Sequence, residues 1–175
     1  MFSSRIQLRK RTPENGTDRE NYLSLLVDEF LNTISYDAKY QVLANLANFA
    51  YDPINYTYIR DVGVLDIFLY VIKNESDCKL LHFATTGISN LCIDPANAEY
   101  ILTNLGLEPI IALLKYQDNE VITNVITTLY YVYNGSAKLK ITPEIISLIE
   151  NYTKHEDAMI NNLAKIFLQD LSGLN

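Results

Sequence analysis

Asp52-Pro53-Ile54-Asn55-Tyr56-Thr57-Tyr58-Ile59 returns as Asp94-Pro95-Ala96-Asn97-Ala98-Glu99-Tyr100-Ile101, with Asp, Pro, Asn, Tyr and Ile in register 42 residues apart. Self-similarity at such a period marks a helical solenoid, in which each unit buries its apolar face against its neighbours. The phrase also reads as a helix start. An aspartate carboxylate can accept the free amide hydrogens of a first turn, and proline is tolerated there because its missing N–H had no partner to lose.

Each phrase is followed by a glycine, Gly63 and Gly106, placed to close a short helix in the left-handed conformation. An apolar run follows each glycine, Val64 to Ile72 and Leu107 to Leu114, and within a helical repeat these runs read as second helices. After the polar breaks at 74–77 and 117–119, residues 79–92 and 120–133 carry apolar positions at three-four spacing, which predicts a third helix per unit. One short and two longer helices in about 42 residues is the armadillo plan.

Partial units flank the two full ones. Tyr40 to Ala50 aligns at the same offset with His82 to Cys92, behind an amphipathic helix around Tyr22 to Ile34, so the first unit lacks its first helix. Thr142-Pro143-Glu144 starts another helix by the same capping logic, and Ala164 to Leu171 aligns with Val125 to Val132, with the unit's first helix reduced to the polar stretch 134–140. The expected fold is therefore all-α, an armadillo-type right-handed superhelical solenoid of two full repeats with degenerate N- and C-terminal end units. Residues 1–20 read as a flexible basic tail, and 21–175 as a single domain with units at about 21–51, 52–93, 94–134 and 135–172.

Charge is uneven along the chain. The formal net charge is −7, but residues 1–11 hold Arg5, Arg9, Lys10 and Arg11 with no acid, leaving −11 for the remainder. An acidic body repels phosphates over a Debye length of about 8–10 Å, which argues against unaided nucleic-acid binding. The tail reads as solvated charges, with an import signal or a phosphate-touching arm as the alternatives. The sequence holds no run of 18 apolar residues, and Met1-Phe2-Ser3-Ser4-Arg5 lacks the apolar block of a signal peptide, so nucleus or cytosol is expected and no membrane. In that setting the five Asn-x-Ser/Thr matches carry no glycan, and Cys78 and Cys92 are reduced thiols.

Motifs for catalysis are missing: there is no Gly-x-Ser-x-Gly, His-Glu-x-x-His, Walker loop or Gly-x-Gly-x-x-Gly, and only His82 and His155 supply imidazoles. Cys78 and His82 share a helical face beside Asp77, but a structural zinc site needs four converging ligands. We expect no enzyme activity, no metal and no cofactor.

Binding is where the repeat points to residues. Third helices line the concave face of an armadillo stack, and their outer stripes give Gln41, Ala44 and Asn48, then Phe83, Thr86 and Asn90, then Asn124, Thr127 and Tyr131, and finally Asn162 or Leu163, Ile166 and Asp170. Of these, Gln41, Asn48, Phe83, Thr86, Asn90, Asn124, Thr127, Tyr131 and Ile166 are the candidate partner contacts. An asparagine side chain both donates and accepts, so Asn48 and Asn90 either clamp an extended partner backbone or tie adjacent repeats through loop carbonyls. Tyr130, Tyr131 and Tyr133 cannot all point inward at about 100° per residue. Tyr58 and Tyr100, being repeat-equivalent, are expected in the core.

The segment Gln41-Val42-Leu43-Ala44-Asn45-Leu46-Ala47-Asn48-Phe49-Ala50-Tyr51-Asp52-Pro53 resembles the armadillo repeat-containing protein seven family. So do Leu26 to Phe30, Val64 to Leu69, Ile126 to Leu129 and Asn162 to Asp170, a similarity running from about Tyr22 to Leu171. The resemblance implies a non-enzymatic scaffold of the minor spliceosome. It would pair with an RRM-type RNA-binding protein near the capped 5′ end of the catalytic small nuclear RNA and meet that RNA mainly through the partner. A nuclear protein, monomeric when isolated, is the expectation. The alternative is a general armadillo adaptor that binds an extended basic peptide in transport or signalling.

Overall fold

The structure is a computed structural model that describes residues 2–4, 6, 7, 10, 16–135 and 141–172. Nine of the twenty residues of the expected basic tail (1, 5, 8, 9 and 11–15), and the greater part of the polar stretch 134–140, lie outside the described residues. The described residues form helices and no strands. In chain order they are α1 (Arg19–Asn32), α2 (Tyr36–Ala50), a 3-10 turn (Pro53–Asn55), α3 (Tyr56–Asp61), α4 (Val64–Asn74), α5 (Cys78–Leu91), α6 (Pro95–Asn104), α7 (Glu108–Ala112) with a 3-10 continuation (Leu113–Tyr116), α8 (Asn119–Gly135), α9 (Pro143–Tyr152) and α10 (Ala158–Ser172). The all-α solenoid expected from the 42-residue period is what the chain forms.

Both copies of the phrase start helical structure through their aspartates. Asp52 Oδ1 accepts the Ile54 N–H at 3.3 Å, and Asp94 Oδ1 accepts the Asn97 N–H at 3.0 Å. The copies differ in detail: Pro95 opens an α-helix, whereas Pro53 opens a 3-10 turn that becomes helical at Tyr56. Gly63 and Gly106 both adopt φ 79°, the left-handed conformation that a Cβ would oppose. Thr142, expected to cap by the same logic, makes no side-chain cap bond to α9.

The third helices stack in series. α5 packs against α2 on one side and α8 on the other, and α10 follows α8, while α1, α4, the Leu113–Tyr116 turn and α9 back them from outside. One continuous core results, from Leu23 through Leu46, Phe68, Ile88, Ile101 and Ile126 to Phe167. Close packing is seen at Gly87 of α5, where the fully buried Phe68 ring of α4 takes the space a Cβ would need. Only a residue without a side chain admits a ring at that distance from a helix backbone.

The tyrosine expectation needs correction. Ile59 and Ile101 are fully buried, but Tyr58 and Tyr100 are half-buried, and the tyrosine that enters the core is Tyr56. Its hydroxyl donates to the Asn90 carbonyl at 2.9 Å, across to the end of α5. Tyr100 instead donates to Asp66 at 2.6 Å from a wetter position. Two residues along a short helix turn the side chain through about 200°, which separates Tyr56 from Tyr58. Tyr130, Tyr131 and Tyr133 are all half-buried, and Tyr130 donates to Asp170 at 2.6 Å.

Candidate partner-binding surface

The stripe drawn from the repeat divides into residues that hold the stack together and residues left unbonded. Asn124 belongs to the first group. Its Nδ2 donates to Thr86 Oγ1 at 2.9 Å and Thr85 Oγ1 at 3.2 Å, and its Oδ1 accepts from Ser89 Oγ at 3.4 Å, so both ends of the amide tie α8 to α5. Thr86 also donates to the His82 carbonyl at 2.8 Å, and Thr127 donates back along its own helix to Thr123 at 2.8 Å.

Gln41 and Asn48 lie exposed on α2, and Asn90 is half-buried at the end of α5. None of these three side chains makes a hydrogen bond among the described residues, although the Asn90 backbone carbonyl is taken by Tyr56. Ile166 on α10 is 48% exposed, a large apolar group facing solvent. Phe83 meets the Tyr40 ring edge-on at 5.0 Å and the His82 ring at 5.0 Å, and Tyr131 packs edge-on against Tyr130 at 5.4 Å.

Two contributions were missed. One is Tyr36 and Tyr40, four apart on α2, which stack at 6.4 Å and extend the Phe83 cluster along the stripe. The Tyr36 hydroxyl donates to Asp77 at 3.0 Å. Burial and that carboxylate raise the Tyr36 pKa, while the Leu80 amide leads the bonds that lower that of Asp77. The other is the asparagine of the phrase itself. Asn55 Nδ2 donates to the Phe49 carbonyl at 2.8 Å and Asn97 Nδ2 to the Leu91 carbonyl at 3.1 Å, so these two tie the start of a repeat to the C-terminal end of the preceding third helix, a tie between repeats of the kind considered for Asn48 and Asn90. Their recurrence at the period was the available signal.

Charge plays a small part in internal cohesion. Arg60 with Asp94, at 3.1 Å, is the single ion pair among the described residues. Asp77 caps α5 through the Lys79 and Leu80 amides, and no group of three or more His, Cys, Asp or Glu among the described residues is placed to hold a metal. Burial pushes the Cys92 thiol up to about 12, a protonated and unreactive side chain, while Cys78 is exposed. Among the described residues no helix is long and apolar enough to cross a membrane. The surface therefore presents unbonded amides, aromatic edges and one exposed isoleucine, groups suited to a polypeptide.

No protein-family model matches the chain. Among solved structures, an engineered protein superposes with a TM-score of 0.73 at 17% identity, covering 86% of this chain and 62% of its own. A designed armadillo repeat protein in complex with the peptide (KR)4 superposes with a TM-score of 0.68 at 16% identity, covering 84% of this chain and 63% of its own. Those likenesses speak for the fold alone, and the chain spans under two thirds of either structure. Mouse (Mus musculus) armadillo repeat-containing protein 7 is 44% identical over 157 residues, which cover 87% of this chain and 78% of the mouse protein. Identity at that level across most of both sequences goes beyond a shared architecture, and this chain belongs to the armadillo repeat-containing protein 7 family.

Proposed function

We propose that the chain is a nuclear scaffold of the minor spliceosome that holds an RRM-type RNA-binding protein and leaves most contact with the capped small nuclear RNA to that partner. The observation that carries this reading is family membership, through 44% identity to the mouse relative. Charge supports the division of labour: beyond its first eleven residues the chain carries −11, a poor surface for phosphate and a serviceable one for a basic protein. The test is affinity purification of the full chain from nuclei, with identification of bound proteins and RNAs. An RRM protein and a minor-spliceosome small nuclear RNA should co-purify, the RNA being lost when the RRM protein is depleted. Tight, specific binding of capped RNA by the purified chain alone at physiological salt, with the RRM protein adding nothing, would refute it.

A second reading has one observation in its favour, the side-chain amides of Asn48 and Asn90 on the same stripe, which make no hydrogen bond among the described residues. Amides so placed suit an extended backbone, as an adaptor for a basic peptide would need. Replacing both by alanine separates the readings: loss of a peptide ligand with the RRM interaction intact favours the adaptor, and the converse favours the scaffold.

A further inference from the structure

The two copies of the repeated phrase are not equally satisfied. In the second, Arg60 Nη1 donates to Asn97 Oδ1 at 2.7 Å and to Asp94 Oδ1 at 3.1 Å, so an amide oxygen in a side chain with no exposure has a charged donor. In the first, Asn55 holds the same post with its Nδ2 on the Phe49 carbonyl, and it is 2% exposed, yet its Oδ1 accepts from nothing among the described residues. Position 18, which aligns with Arg60 at the 42-residue offset, is an aspartate that caps α1. The first unit therefore has no arginine at the position that Arg60 holds in the second. Buried carbonyl groups are nearly always paired, and an exception needs an explanation.

The surroundings of Asp52 are built for cationic or N–H donors. Its Oδ2 accepts the Ser3 N–H at 2.9 Å and its Oδ1 the Ile54 N–H, while Arg19 is drawn aside over the Phe49 ring at 4.7 Å. Burial works against the charge of this carboxyl, but the Ser3 and Ile54 bonds and the charge of Arg19 outweigh it and hold the group below its ordinary range. The carboxylate is thus ionised, three residues before the buried amide whose oxygen has no donor among the described residues.

We propose that Asp52 and Asn55 form a binding site for an arginine guanidinium, the end-unit counterpart of the internal contact that Arg60 makes with Asp94 and Asn97. The internal contact shows the chemistry required: one guanidinium nitrogen with two hydrogens serves a carboxylate and a buried amide oxygen together. A lysine ammonium is a compact, strongly hydrated charge and suits a half-buried pair of acceptors less well than the weakly hydrated guanidinium. Two sources can supply the group: Arg5, which lies outside the described residues two positions beyond the Ser3 that bonds Asp52, or an arginine of a partner protein. The difference between the two repeats carries the assignment, independently of the splicing reading.

The experiment uses the full chain and follows the Asn55 side-chain amide by NMR during titration with N-acetyl-arginine methylamide and with its lysine counterpart. The arginine compound should shift that resonance saturably, with the lysine compound about tenfold weaker, and Asp52→Asn should weaken the arginine response about tenfold. If Arg5 fills the site, Arg5→Ala will itself move the resonance and tighten arginine binding relative to wild type. If the arginine comes from another protein, Arg5→Ala will bind the compound as wild type does. Absence of a saturable arginine shift in both wild type and Arg5→Ala, or an equal response to lysine, overturns the assignment whatever Asp52→Asn does.

Discussion

Replacing Gly87 by alanine should destabilise the protein, although alanine is the better helix former. A Cβ at this position would lie 2.8 Å from Phe68 Cδ2, with ring carbons Cε2 and Cζ nearer still, well inside van der Waals contact. Phe68, on α4, is fully buried. Overpacking a close-packed core costs about 1–3 kcal/mol, and three ring atoms in conflict place this site near the upper end. Against it stands the gain of about 1 kcal/mol from alanine over glycine in a helix interior. The net expectation is a loss of about 2 kcal/mol, or roughly 4–8 °C in melting temperature for a chain of this length. Urea unfolding followed by circular dichroism measures the loss directly. Introducing Gly87→Ala into a Phe68→Leu background, where the ring edge is absent, should recover about 1–2 kcal/mol of it as a coupling energy. A Gly87→Ala protein as stable as wild type, or a cycle with no coupling, would show that the ring does not occupy the glycine's space.

Three further outcomes follow from the polar contacts. Arg60→Leu removes the donor of the buried Asn97 oxygen; because Arg60 and Asp94 are 29% and 30% exposed, the loss should be moderate, about 1–2 kcal/mol by urea unfolding, and a neutral substitution would contradict the contact. Asn124→Ala breaks the bonds to Thr86, Thr85 and Ser89 at once and should cost about 1–3 kcal/mol, with faster amide exchange at the α5–α8 contact as its signature. Tyr56→Phe should cost about 1 kcal/mol at neutral pH through the lost bond to Asn90. Burial pushes the Tyr56 phenol from 10.0 up to about 12, so its contribution is complete below pH 10 and is lost as pH rises from 10 to 12. Over that window wild-type stability should fall more steeply than that of Tyr56→Phe, and parallel pH profiles would refute the assignment.

The period of 42 residues made the architecture legible because the features that open and close its helices act locally. Aspartate caps, proline starts and glycine closes, each within a turn of its own position. The residues misplaced from sequence were those whose role depends on a neighbouring unit. Tyr56 was overshadowed by the repeating Tyr58 and Tyr100, yet it is buried because the Asn90 carbonyl at the end of α5 lies within reach of its hydroxyl. Asn124 has the stripe position of a ligand contact and the environment of a rivet, since Thr85, Thr86 and Ser89 converge on it from α5. Asn48 and Asn90 are ambiguous in sequence because an amide serves a partner or a backbone carbonyl equally well, and in the fold it is Asn55 and Asn97 that bond the carbonyls at the ends of α2 and α5.

The position of α5 has a mechanical consequence. It touches α2, α4 and α8, and so it is the member through which a load applied at one end of the chain reaches the other. A partner that pulled on the first unit would strain α5 before α10, and a lesion in α5 would leave two short stacks, each with too little apolar surface to persist alone. Resistance to stretching, like cooperativity, is then set by this middle helix and by the ring seated against its glycine.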